Sequence, residues 1–203
     1  LGGPLQYYTT QDGLADNDLQ SVLVLNEEEV FMTTTNGHLQ KFNPLTMEVT
    51  TLASIQPDSF FRILRTHTGE LFVAFNEDYR WTATNLHRFD TKKGMQEKGF
   101  HFDRSFFYME ADTRGNYFLG GNYGLYVFNP ATENKYTLAN ITDRVNQIVF
   151  DGEGNLWAGM WDGKLYRIEL FYSDTGVTAK KDDMTHLMDG AYTSLLFKDS
   201  KGA

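Results

Sequence analysis

VNQIVFDGEGNLWAGMWDGKLYRI, residues 145–168, holds three strand-like segments separated by two turn signals. The rest of the chain repeats it. Val145 to Phe150 is largely apolar, and Asp151-Gly152-Glu153-Gly154-Asn155 follows as a polar cluster whose glycines supply the positive φ of a tight connection. Leu156-Trp157-Ala158-Gly159-Met160 is apolar without alternation, as expected of a strand covered on both faces. Asp162-Gly163 is a two-residue hairpin signal, and Leu165-Tyr166-Arg167-Ile168 alternates as a half-exposed strand does.

Three further copies of the unit precede this one. The first runs through Leu19–Leu25, Asn26-Glu27-Glu28-Glu29, Val30-Phe31-Met32-Thr33 and Leu39-Gln40-Lys41-Phe42. The second uses Phe61–Arg65, Thr68-Gly69-Glu70, Leu71-Phe72-Val73-Ala74 and Leu86-His87-Arg88-Phe89, and the third Phe106–Ala111, Arg114-Gly115-Asn116, Tyr117–Gly120 and Leu125–Phe128. Leu39, Leu86, Leu125 and Leu165 lie 47, 39 and 40 positions apart, and each is followed three positions later by Phe42, Phe89, Phe128 or Ile168. A period of about 40 residues with four strands and no helical pattern predicts an all-β fold, a β-propeller of four-stranded blades. The expected blades are 19–55, 60–102, 106–140 and 145–188, with the strand-like stretches 5–10 and 192–203 in incomplete blades. Thr33, Ala74, Gly120 and Gly159 should sit at one depth in every blade. The register calls for further strands after Gly202, so a larger ring, of about seven blades within the usual range, is expected.

Composition narrows the function classes. With 41% hydrophobic and 15% aromatic residues the chain has material for a core, while a net charge of -9 argues against a nucleic-acid partner. Cysteine is absent, which removes disulfides, thiol catalysis and thiolate-bound metals. No apolar run approaches the roughly 18 residues of a membrane helix, so direct membrane insertion by this chain is not expected. No signal peptide is evident, and the chain starts at Leu1 rather than at methionine, as an excerpt of a longer protein would.

The repeats lack the motifs of WD40 and kelch blades. Tyr8-Thr9-Thr10-Gln11-Asp12-Gly13-Leu14 to Asn17, and then Leu19–Leu25, resemble the opening of two-component regulator propeller repeats. Asp151 to Gly159 with Asp162 to Arg167 is similar to the core of that repeat, although Phe31, Phe72 and Phe118 stand where tryptophan is usual and Met160 where threonine is usual. The resemblance covers nearly the whole chain. It implies the periplasmic sensor region of a hybrid two-component receptor, with a second propeller and a receptor dimer partner, responding to polysaccharide-derived oligosaccharides and signalling to a histidine kinase outside these residues.

Meander topology places the loops between second and third strands on one side of the blades, together with the loops that lead to each next blade. Asn76 to Asn85 stands out, because Phe72 to Leu86 spans 14 positions where Phe31 to Leu39 and Trp157 to Leu165 span 8. The functional reading gives Tyr79, Arg80, Trp81, Asn122, Tyr123, Trp161 and Asp162 to an oligosaccharide, uronic or sulfated, since aromatic rings pack on sugar faces and arginine pairs with carboxylate or sulfate. The bland alternative makes Tyr123 and Trp161 packing residues and the insertion a solvated or dimer-contact loop. A carbohydrate-active enzyme would need converging carboxylates, for which Asp78 and Asp162 are the one pair in reach, and a protein-interaction platform is the remaining rival. No cofactor, metal or catalytic residue is assigned. Asp151, Glu153 and Asn155 are spaced like a calcium loop but lack its distal glutamate; the five histidines form no zinc pair. Glu110 and Asp112 read as solvated, and Lys180-Lys181-Asp182-Asp183 as an exposed loop.

Overall fold

The computed structural model describes residues 7–55, 61–66, 68–76 and 83–188. Their strands form four separate four-stranded antiparallel sheets, each a meander of consecutive strands. The first sheet holds β1 (Leu19–Asn26), β2 (Glu29–Thr34), β3 (His38–Asn43) and β4 (Glu48–Ser54), and the second β5 (Phe61–Arg65), β6 (Leu71–Phe75), β7 (Thr84–Asp90) and β8 (Gly94–Phe102). The third holds β9 (Phe106–Ala111), β10 (Tyr117–Gly121), β11 (Gly124–Asn129) and β12 (Asn134–Thr137). The fourth holds β13 (Val145–Phe150), β14 (Leu156–Met160), β15 (Leu165–Ser173) and β16 (Gly176–Asp183). The chain divides into two compact units, one with the first two sheets and one with the last two.

The repeat read from the sequence is the strand register itself. Thr33 pairs with Leu39, Ala74 with Leu86, Gly120 with Leu125 and Gly159 with Leu165, so each small residue faces its repeat leucine across the second and third strands. All four small residues are buried. At Gly120 the reason is visible, since a β-carbon there would come within 2.9 Å of the Val145 Cγ1 on the adjoining sheet. In the first unit the equivalent Thr33 donates its hydroxyl to the Phe61 carbonyl at 2.6 Å, and Ser21 Oγ accepts the Ile63 N–H at 3.1 Å. Phe31, Leu39, Phe61, Ile63, Val73 and Phe89 make that unit's core; Phe118, Leu125, Ile148, Phe150, Leu156 and Ile168 lie in the other's.

In the last three sheets the turns between first and second strands share one device, a side-chain oxygen that accepts the N–H four positions on. Asp151 Oδ1 accepts the N–H groups of Glu153 and Asn155, both at 2.9 Å, while Oδ2 accepts from Asn155 Nδ2 at 3.0 Å and Trp157 Nε1 at 2.9 Å. Asp112 does the same with Arg114, Asn116 and the Asn116 amide, and is buried by doing so, which corrects the expectation that it is solvated. In the second sheet Thr66 Oγ1 takes the Glu70 N–H at 3.1 Å. The calcium-like spacing at Asp151 is therefore a turn closed by protein donors. Among the described residues no group of three or more His, Cys, Asp or Glu could hold a metal ion.

Burial would raise the Asp151 carboxyl, but its hydrogen bonds from Trp157, Asn155 and Glu153 outweigh that and hold it below the usual carboxylate range. A depressed folded-state pKa gives stability that is present above the unfolded value of about 3.9 and lost as pH falls through the lower folded value. Asp151→Ala should cost about 2–3 kcal/mol near neutrality. Urea unfolding should also show the wild-type margin over Asp151→Asn shrinking below about pH 4; a margin independent of pH would mean that the ionised carboxylate does not hold the turn.

Other expectations are corrected. Of the strand expected over 5–10, Tyr7–Thr9 carry no strand pairing and Thr10–Asp12 form a 3-10 turn, because Thr9 Oγ1 accepts the Gln11 N–H and the Asp12 carboxylate accepts the Thr9 N–H, closing the chain on itself. Residues 5 and 6, and the stretch 192–203, lie outside the described residues. Lys180 to Asp183 belong to β16 rather than a loop, because β15 is long enough to pair with every one of them. Asp162-Gly163 is the middle of a longer connection closed by the Met160 N–H to the Lys164 carbonyl at 2.8 Å.

Candidate functional site

Two connections of the second unit present the candidate residues that the structure describes. Asn122 and Tyr123 form the turn between β10 and β11, and Trp161 and Asp162 lie in the connection from β14 to β15. Each connection is stitched to the residues that lead into its sheet's first strand. The Asn122 N–H donates to the Ser105 carbonyl at 3.2 Å, and the Trp161 N–H to the Arg144 carbonyl at 2.9 Å. The two stitches place an arginine beside an aromatic ring in both sheets.

Arg144 lays its guanidinium carbon 4.1 Å from the centroid of the Trp161 ring and 5.8 Å from that of Phe107. Arg104 does likewise over Tyr126 at 5.1 Å and Tyr123 at 5.7 Å. Trp161 is 59% exposed and Tyr123 43%, and both arginines are exposed. A guanidinium held against a ring keeps its planar fork of donors ordered and always charged, while the ring leaves apolar surface open beside it. Such a pair suits a ligand with an anionic group next to an apolar face.

Asp162 has a different role. It is ion-paired with Lys164 of its own turn, whose hydrogen bond first of all holds the Asp162 carboxyl below the usual carboxylate range, and Asp162 in turn raises the Lys164 ammonium. The pair is neutral as a unit and belongs to the turn. Asn122 is half-buried and anchors its turn through the backbone. Tyr79, Arg80 and Trp81 lie outside the described residues, as does Asp78.

Sequence reading reached Arg104 only as part of the flanking candidate loop Phe100 to Ser105 and passed over Arg144, although a signal was present. Asp103-Arg104 and Asp143-Arg144 recur 40 positions apart, the repeat's own period, directly ahead of a first strand. A polar dipeptide in a loop draws no notice until the strand register shows that it returns in phase.

No protein-family model and no curated protein matches the chain. Among solved structures, it is similar to an extracellular domain from B. thetaiotaomicron described as that of a hybrid two component system, with a TM-score of 0.61 and 15% identity over 94% of this chain and 32% of the other. A second extracellular domain from the same organism, described as that of a one component system, gives a TM-score of 0.59 and 17% identity over 91% of this chain and 25% of the other. A β-propeller domain from Myceliophteria thermophila gives 0.54 and 16% identity over 73% of this chain and 51% of the other. The fold is that of a β-propeller. The four sheets are its blades, and the arginine–ring pairs stand on corresponding loops of two consecutive blades. The chain spans about a third and a quarter of the two B. thetaiotaomicron extracellular domains. No helix among the described residues is long and apolar enough to cross a membrane.

Proposed function

We propose that this chain is a ligand-recognition propeller from the extracytoplasmic, periplasmic part of a two-component receptor. It recognises an acidic oligosaccharide released from a polysaccharide and passes the signal to a histidine kinase outside these residues. A second propeller and a receptor dimer partner complete the assembly. The observation that carries the reading is the repeated pairing of Arg144 with Trp161 and Arg104 with Tyr123 on equivalent loops. Two further supports are the resemblance of the repeats to two-component regulator propellers and the fold shared with one extracellular domain of a hybrid two component system and one of a one component system. The chain is read as non-catalytic, since Asp162 is committed to Lys164.

Calorimetric titration with uronic and sulfated oligosaccharides tests the proposal. One of them should bind, and Arg144→Ala should weaken it by about 1.5–3 kcal/mol, the range of a charge-assisted hydrogen bond. Trp161→Ala should weaken it as well, by removing both the packing face and the support under the guanidinium. Affinity unchanged in both variants would sink this site. Turnover of the oligosaccharide would make the protein an enzyme, and absence of any glycan binding together with a concentration-dependent mass would make it an interaction platform.

A further inference from the structure

The β15–β16 hairpin is longer than its sheet requires. β14 pairs with β15 only up to Ile168, so Glu169–Ser173 and their partners on β16 run on as a two-stranded arm. The arm is fastened to the preceding blade of the same unit. Tyr136 of β12 donates its hydroxyl to the Val177 carbonyl at 2.9 Å and accepts the Val177 N–H at 2.6 Å. Gly176 has φ +146, and a β-carbon there would lie 2.8 Å from the Tyr136 hydroxyl oxygen, so the fastening demands glycine. A second fastening lies at Tyr172, whose ring carries the Arg114 guanidinium at 4.1 Å. Burial first, then the charge of Asp112 and a hydrogen bond to it, push the Tyr172 hydroxyl up to about 12, so it stays protonated at neutral pH.

Arm and blade enclose a cleft of about 390 Å³, within the size range of small-ligand sites. Its wall on the blade side is prebuilt, with Asn129 Nδ2 donating to Asn116 Oδ1 at 3.0 Å and Asn116 Nδ2 to Asp112 Oδ2 at 2.8 Å. Asn134, Thr132, Ser173, Asp174 and Thr175 add amides, hydroxyls and one carboxylate, while Val127 and Val177 add apolar surface. Among the described residues, no hydrogen bond or ion pair engages the side chains of Asn134 and Asp174. The lining holds one cation, Arg114, and one anion, Asp174, so it has no bias toward a charged ligand. Groups that both donate and accept, interleaved with apolar patches and tyrosine rings, match a compact polyhydroxylated ring.

We infer that this cleft is a second binding site, for one neutral sugar unit of an oligosaccharide. It lies at the opposite end of the strands from the arginine–ring pairs, being built from first-to-second and third-to-fourth strand turns. It therefore stands or falls independently of the acidic site. The test is a titration of the ¹⁵N-labelled protein with maltotriose, cellotriose and xylotriose, each to about 10 mM, read by NMR. At least one should move the side-chain amide signals of Asn129 and Asn134 and leave the Trp161 indole signal in place. Asn134→Ala and Asp174→Ala, both at exposed positions, should each weaken that binding at least about tenfold with the thermal midpoint unchanged. No movement with any of the three sugars would overturn the inference, and so would binding that survives both substitutions.

Discussion

Gly124→Ala is expected to destabilise the second unit by more than about 4 kcal/mol, a loss reached only when substitution forces a clash that cannot relax. Two effects combine there. Gly124 opens β11 with φ +110, where any L side chain is strained by about 1–3 kcal/mol. A β-carbon would also run into the Ile141 carbonyl oxygen and lie 2.9 Å from both the Ile141 carbonyl carbon and Thr142 Cα. These are backbone atoms, with no rotamer to escape through. Moving them would break the hydrogen bond from the Leu125 N–H to the Ile141 carbonyl at 3.1 Å and disturb the one from Leu138 to Leu125 at 2.7 Å. A domain whose whole stability is about 5–15 kcal/mol cannot absorb this and keep a normal midpoint. Gly154→Ala is the control, since φ there is +86 but nothing lies within 4 Å of the added carbon. Denaturant unfolding should place Gly124→Ala far below it; two equal losses would show that the close approach to Ile141 is immaterial.

Phe118→Ala should cost about 3–5 kcal/mol, the range for emptying an aromatic site in a packed core. Phe118 is wholly buried at the second position of β10, between Glu110 on β9 and Val127 on β11. Its ring meets that of Phe150 edge to face, with centroids 5.3 Å apart, and so carries the contact from the third blade to the fourth. Deletion removes the transfer free energy of the ring and leaves a void that two sheets, each fixed by its own hydrogen bonds, cannot close. Phe171→Ala is the comparison, because that ring is 46% exposed on the arm and should change stability much less. Urea midpoints at constant m-value separate the two; a loss below about 1 kcal/mol at position 118 would mean that the blades do not depend on this contact.

The propeller was legible because its decisive features are periodic and apolar. The leucines at 39, 86, 125 and 165 and their small partners announce a register that any one copy would leave ambiguous, and the ladders honour it residue by residue. What stayed hidden was polar. Asp112 looked solvated because a carboxylate beside a turn usually is, yet Asn116 four positions on supplies both a backbone and a side-chain donor and lets it be buried. The same arrangement at Asp151 and Asn155 could have revealed this. For the candidate site, sequence named the rings of Tyr123 and Trp161 but not the arginines over them, since a cation's partner is fixed by which loop a backbone stitch brings near. The cleft under the β15–β16 arm was illegible for a related reason. Strand length beyond the sheet's edge is decided by hydrogen bonds to Tyr136 on another blade, forty-one positions away in sequence.

The consecutive order of strands within every sheet has a consequence for how the molecule comes to be folded. Among the described residues each ladder joins a strand to the next one in the chain, so none of these four sheets waits for a distant described segment to arrive. Loop-closure entropy inside a blade is small, and hairpins of this kind form in roughly 1–10 μs. The slow event is then the docking of finished sheets, where Gly120 meets Val145 and Phe118 meets Phe150. A chain built this way can lengthen by whole blades in evolution without slowing the formation of those it already has.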